Sequence, residues 1–519
     1  MDETKNNQAP RKEASPESIA SLRNSFEKSI ALMGQTLENL MPVYKTCCRL
    51  LKEPQHADNQ GLLKLKIVYE VAITFYLAEM DNAAIFHADF TRRSNTLYRQ
   101  TFLLQCYRVI SEVTKALFGF GKDQRHALWP KLVSTIDLSS FLTELEEIAA
   151  GVEKLKSEVI DRDARNYASH YDWDALATAD FFKSLDDEDI ICQDWNQYLF
   201  VAKRISFILS RLFSRLASTG KTDIQVHYPA SVGGSTTISD TDIKWGIEKQ
   251  LLKPELVDAI QSSYENTEKQ LAQSISICRK YKAVCDIADS FAPNLKDTVS
   301  LERYQKIANA VGILSFMTND AHAAAIALTE SSSYWESRMH LKRLDVAIYE
   351  GLDKIVGFTE ESKKSSLFHL IDETVNDLPT MIQEQYALLK EETESLIQKY
   401  DADQTERRCS FVHYRTKKKI WVEQTYDNLL SINVPDSLLK VIELRNLTTK
   451  IVRFVTLLTG ALSELEERRS LQSRLAKFQQ LRDLVGNIKD ETARGSALRT
   501  IESIQNKIEE MLGKARRKR

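Results

Sequence analysis

Two short stretches of this 519-residue chain set a guanidinium and an imidazole five positions apart: Arg165-Asn166-Tyr167-Ala168-Ser169-His170 and Arg408-Cys409-Ser410-Phe411-Val412-His413. An imidazole titrates near neutrality and so gives or takes a proton at little cost. An arginine keeps its charge and offers a planar fork of donors matched to phosphate oxygens. Together they suit phosphodiester cleavage, the histidine moving protons while the guanidinium stabilises charge developing on phosphorus. Of the nine histidines, only His170 and His413 follow an arginine at this spacing. Chance alone would supply about half a match, so the spacing is weak by itself. Geometry adds a condition. On a straight helix, positions five apart diverge by ~140°, so both side chains reach one target only at a helix start or a distortion. The plainer reading of either stretch alone is a helix-capping arginine beside a structural histidine.

The elements that must position these residues are helices. Ser15 and Pro16 read as a helix start, a cap followed by a residue whose missing N–H costs nothing in the first turn. Ile19, Leu22, Phe26, Ile30, Met33, Leu37 and Leu40 follow at spacings of three and four, an apolar helical stripe. Such periodicity continues almost everywhere, alternating strand patterns are nearly absent, and glycines number 16. The expected class is all-α. Residues 219–253 break the pattern with Gly220, Pro229, Gly233 and Gly234, and read as a linker with room for a short hairpin. Gly220-Lys221-Thr222 does not make a phosphate loop, because Arg215 stands where that motif needs its first glycine.

After the linker the first pattern returns. Pro254-Glu255 repeats Pro16-Glu17, and Val257, Ile260, Tyr264, Leu271, Ile275 and Cys278 stand 238 positions after Ile19, Leu22, Phe26, Met33, Leu37 and Leu40. Glu268 breaks the stripe opposite Ile30. Gly357-Phe358 stands 238 after Gly119-Phe120, and His413 stands 243 after His170. The economical reading is duplication of one helical unit, over 16–218 and 254–466, with residues 1–15 a disordered N-terminus and 467–519 a C-terminal helical arm. The arm is expected to pack on the body or to bind a partner, and so to offer a route to homo-oligomers.

The bulk composition bounds the function. The chain is 43% apolar and 28% charged, enough for substantial cores, and its net charge of −3 means that any grip on nucleic acid comes from a local patch. Seven scattered cysteines with no pair at two-residue spacing argue against a disulfide framework or a structural zinc site. No uninterrupted apolar run reaches the ~18 residues of a membrane span. The expectation is a soluble, cytoplasmic protein with no membrane partner, no metal and no cofactor.

The Arg165–His170 stretch resembles the signature of HEPN domains, small all-helical units whose motif is an arginine, four to six residues, then a histidine, often with a polar residue after the arginine. Many HEPN proteins are metal-independent RNases acting as toxins or in antiviral defence, usually as dimers that join two motifs in one composite site. The resemblance implies an intramolecular pseudo-dimer with His170 and His413 as the acid/base pair, and Arg165 and Arg408 as phosphate ligands. Asn166 would be the polar neighbour that orients the motif, and Tyr171 and Tyr414 would support it. The second copy carries Cys409 where the first has Asn166. The implied reaction is attack of an RNA 2′-hydroxyl on the adjacent phosphate, leaving a 2′,3′-cyclic phosphate and a 5′-hydroxyl. The basic run Arg415, Lys417, Lys418 and Lys419 is expected to grip the RNA backbone, transfer or messenger RNA being the family's usual targets. A regulatory protein or antitoxin is a further expected partner. The alternatives are a non-catalytic HEPN-like module that binds RNA or nucleotides or acts as a scaffold, and an unrelated helical adaptor.

Overall fold

The computed structural model describes residues 15–92, 94–119, 126–160, 174–185, 188–218, 240–291, 298–376, 378–399, 404–414, 422–485 and 491–517. Among them there are helices and turns and no strand, in agreement with the all-α expectation.

The first series begins with α1 (Pro16–Leu50), where the Ser15 hydroxyl accepts from the Ser18 amide at 3.2 Å and Pro16 opens the first turn. Ile30, Leu37, Met41 and Tyr44 bury one face of α1 against α2 (Gln60–Thr91). The Asn59 side chain caps α2, and Asn95 caps α3 (Thr96–Phe118) in the same way. Then come α4 (Leu128–Thr135), α5 (Leu142–Lys154), α6 (Ala175–Ser184) and α7 (Glu188–Ser218). Within the expected linker, α8 (Asp240–Gln250) is a helix, anchored where the indole N–H of Trp245 donates to the Ser331 carbonyl at 3.3 Å, while Gly220, Pro229, Gly233 and Gly234 lie outside the described residues.

The second series has α9 (Pro254–Phe291), α10 (Thr298–Glu330) and α11 (Tyr334–Val356), followed by α12 (Glu360–Lys364), α13 (Leu367–Val375) and α14 (Thr380–Ile397). The short α15 (Gln404–Val412) and α16 (Val422–Ser431) lead into α17 (Val434–Val485) and α18 (Glu491–Arg517). Helices α3 and α11 are both 23 residues long, and both end at a glycine with φ of 73°. A side chain is strained at that φ, and at Gly357 a Cβ would also lie 2.2 Å from the Lys363 backbone. The boundary expected at residue 466 falls inside α17, which runs without a break for 52 residues. Helix α18 folds back along its distal part, burying Leu471, Ile501 and Ile508, with Gln505 Nε2 donating to Gln479 Oε1 at 3.1 Å.

The two series meet along a seam where α2 and α3 face α10 and α11. Close approach is allowed by Gly34 on α1, whose missing side chain leaves room for the Trp335 indole. The stretch Glu302–Glu330 of α10 is long and apolar enough to span a bilayer, yet its most apolar 18 residues are wholly buried within the fold. Its polar groups face protein: Asn319 Nδ2 donates to Thr101 Oγ1 at 3.0 Å, and Asp320 accepts from Gln105 Nε2 at 2.9 Å. It is a core helix.

Candidate functional site

The second of the two arginine/histidine stretches lies on this seam. Arg408 sits on α15 and His413 just past its last turn, where the His413 amide still bonds the Cys409 carbonyl at 3.0 Å. A helix end is one of the places where residues five apart can address one neighbourhood. Thr425 Oγ1 donates to the Ser410 carbonyl at 2.6 Å, and Asn428 Nδ2 donates to Ser410 Oγ at 3.0 Å, so α16 fixes the short helix in place.

The two motif side chains meet two carboxylates. His413 Nδ1 lies 2.9 Å from Glu112 Oε2, which belongs to α3 in the first series. That bond fixes the ring and leaves Nε2, which has no partner among the described residues, as the nitrogen available to a substrate. The histidine side chain is 18% exposed and Glu112 only 2%. Arg408, in contrast, forms a partly buried ion pair with Glu350 of α11. Burial works against its charge, but the Glu350 carboxylate outweighs this and raises its pKa. Next to it Arg407 forks onto Asp345 at 2.9 and 3.1 Å.

Behind these pairs is a buried ionic cluster. Asp81 of α2 accepts from Lys342, from Arg343 at 2.7 Å and from the Tyr414 hydroxyl at 3.1 Å. Burial disfavours the Asp81 charge, but Lys342 and Arg343 prevail and hold its carboxyl at about 2. Asp320 goes the other way: burial pushes it up to about 8, only partly opposed by Arg108 and by the Gln105 hydrogen bond. Burial likewise lowers the Arg108 pKa against the pull of Asp81. Thr101, Gln105, Arg108, Asp320, Arg343 and Glu350 line a small cavity of about 20 Å³, room for one water and not for a nucleotide.

Among the sequence-predicted residues, Arg408, His413 and Tyr414 come together at the seam. Arg165, Asn166, His170 and Tyr171 lie outside the described residues, as do Arg415, Lys417, Lys418 and Lys419. Asp174, in the acidic stretch after His170, caps α6 by accepting from the Leu176 amide at 2.7 Å. Sequence reading missed Glu112, Glu350 and Asp81. A signal was there, since Glu112 and Glu350 are themselves 238 positions apart. No known protein family, characterised protein or solved structure matches the chain.

Proposed function

We propose that the chain is a metal-independent endoribonuclease of HEPN type, its two helical series forming an internal pseudo-dimer. The observation that carries this reading is the pair His413–Glu112, a motif histidine from one series oriented by a carboxylate of the other, 301 residues away. The two-fold relation is supported by Arg92 and Glu330, which stand 238 positions apart and pair with each other. Contact between equivalent positions is what a two-fold axis produces. Around it, Arg343 donates to Asp81 while its equivalent Gln105 donates to Asp320, one position from the equivalent of Asp81.

In this reading His413 and His170 share the proton transfers, and the 2′-hydroxyl attacks the adjacent phosphorus as the 5′-oxygen leaves. The nucleophile is already beside its target, so no metal has to place it. Arg408 reaches a phosphate only when Glu350 releases it. The ion pair is then an off-state, which suits a toxin or defence effector awaiting an activating partner.

One observation favours a second reading: Arg408 is fully committed to Glu350, as a structural arginine would be. The chain is then a non-catalytic helical module for RNA or nucleotides. The test is incubation of the full chain with labelled RNA in EDTA, beside His413→Ala and His170→Ala. Expected are 2′,3′-cyclic phosphate ends from the parent and a rate lower by about 10²–10⁴ in either variant. Cleavage persisting in both variants overturns the site, and a parent chain that cuts no RNA selects the second reading.

A further inference from the structure

We propose that the cleft between α9 and α17 is a phosphate-binding site that takes the backbone of single-stranded RNA. The proposal rests on the ribonuclease reading for its choice of RNA, and on none of the residues placed at the seam.

The cleft has a volume of about 580 Å³, in the range of ligand sites. Lys269 projects into it from α9, and Arg445 and Arg453 from α17, with Gln270, Gln273 and Thr449 beside them and no carboxylate in the lining. Among the described residues, no ion pair or hydrogen bond engages the Lys269 or Arg453 head groups, and both side chains are exposed. Arg445 is half-buried. Among the described residues its one side-chain bond goes to Asn446 Oδ1 at 3.2 Å, while its Nε has no partner. Gln270 holds its carbonyl oxygen to the Thr449 hydroxyl at 3.0 Å, which leaves Nε2 an orphan donor in a residue 9% exposed.

Three like charges in one concave lining repel each other, and a concave low-dielectric wall strengthens that repulsion. Two further donors without acceptors add to the deficit of negative charge. An anion with several acceptor oxygens corrects both. Phosphate fits better than a carboxylate because arginine forks and a lysine point charge match its spread of oxygens. His322, buried nearby on α10, adds no charge. Burial, helped by the Arg445 charge, keeps its imidazole down at about 4, against the opposing pull of the Thr318 carbonyl, which accepts from Nδ1 at 2.9 Å. The adjoining cleft, which Arg445, Thr449 and Arg453 also line, holds Glu392 and Glu443, but these two carboxylates are already taken by Lys450 at 2.7 Å and by Lys399.

The test is fluorescence anisotropy of a 2′-O-methyl RNA oligonucleotide, which cannot be cut, on the full chain across a salt series. Lys269→Gln with Arg453→Gln should weaken binding about tenfold at low salt and make the slope of log K against log salt shallower by about 1.4, the value for two lost single-strand phosphate contacts. Glu at both positions should weaken it further, and unchanged thermal midpoints show that either variant is folded. Equal affinity and equal slope in all three proteins overturn the site. AMP or inorganic phosphate binding that both variants lose, with RNA binding intact, overturns the choice of RNA in favour of a free phosphate ligand. A parent chain that binds through the cleft but cuts no RNA removes the ribonuclease reading and leaves this one standing.

Discussion

The seam between the two helical series and the cleft on α17 are built from the same residue types used in opposite ways. At the seam, Lys342 and Arg343 are buried, Arg407 and Arg408 are partly buried, and each has a carboxylate: Asp81 for the first two, Asp345 and Glu350 for the others. In the cleft, Lys269 and Arg453 are exposed and Arg445 is half-buried, and none of the three is in an ion pair among the described residues. Desolvation explains the difference. A buried cation without a counter-charge costs several kcal/mol, so the interior can hold only matched sets. An exposed cation costs little, and leaving it unmatched keeps its charge for a ligand. Matched charge specifies how the halves dock; unmatched charge is available for binding.

The strongest way to break this contrast is to take away the counter-charge of the seam. Asp81→Ala leaves Lys342 and Arg343 buried and unanswered and strands the Tyr414 hydroxyl. The expected loss is about 3–5 kcal/mol in urea unfolding at neutral pH. The pH dependence carries the same sign. The Asp81 carboxyl is held at about 2, below its unfolded value of ~3.9. Its contribution is therefore present above pH ~4 and disappears as the pH falls through about 2. A variant that unfolds at the parental urea concentration would show that the ion set does not hold the seam.

How much of this could be read from the sequence follows from how local each cause is. The matched helix starts and ends were legible, because Pro16 and Pro254, and Gly119 and Gly357, act within their own turns: a proline opens a helix and a glycine takes the positive φ that ends one. Glu268 looked like a flaw in the repeated stripe. It is a cross-seam contact, accepting from Asn95 Nδ2 at 2.9 Å, and no pattern on its own helix could reveal that partner. Arg92 had no assigned role for the same reason, its partner Glu330 lying on the other series. The motif residues Arg408 and His413 were visible by type and spacing. The carboxylates Glu350 and Glu112, which decide what those residues are free to do, sit 58 and 301 positions away and become adjacent only through the docking of whole helices. Linker helix α8 was missed because an 11-residue segment depends on Trp245 finding its place on the body more than on its own propensity.

A smaller change of opposite sign tests the matching rule from within. Asp320 is the buried carboxyl that the seam does not match well: Oδ2 accepts from Gln105, while Oδ1 has no partner. Its folded pKa of about 8 lies above the unfolded ~3.9, so the native chain holds a proton that the unfolded chain has lost. Stability should then fall as pH rises from about 4 to about 8 and level off above. Asp320→Asn removes that slope while keeping an oxygen for Gln105, and the equivalent position of the first series, Asn82, is already an amide. The variant is expected to be more stable than the parent by about 1–3 kcal/mol at pH 7 and no different at pH 4, measured by urea unfolding at both. A variant less stable than the parent at pH 7 would mean that the carboxylate is charged and matched in the folded protein.

The smallest effect is expected where charge is matched but exposed. Lys399 pairs with Glu443 beside α17, with side chains 53% and 38% exposed. In water the pair gains little Coulomb energy and loses side-chain freedom, so its net worth is about 0.5 kcal/mol or less. Lys399→Ala should therefore leave the urea midpoint nearly unchanged. It should also leave the salt slope of RNA binding unchanged, because the charge removed was already neutralised by Glu443 and releases no counterion from the nucleic acid. The neighbouring Lys269 and Arg453 differ from Lys399 mainly in having no such acid. If Lys399→Ala flattened the slope as much as their loss does, the presence or absence of a carboxylate would not be what separates binding cations from structural ones on this molecule.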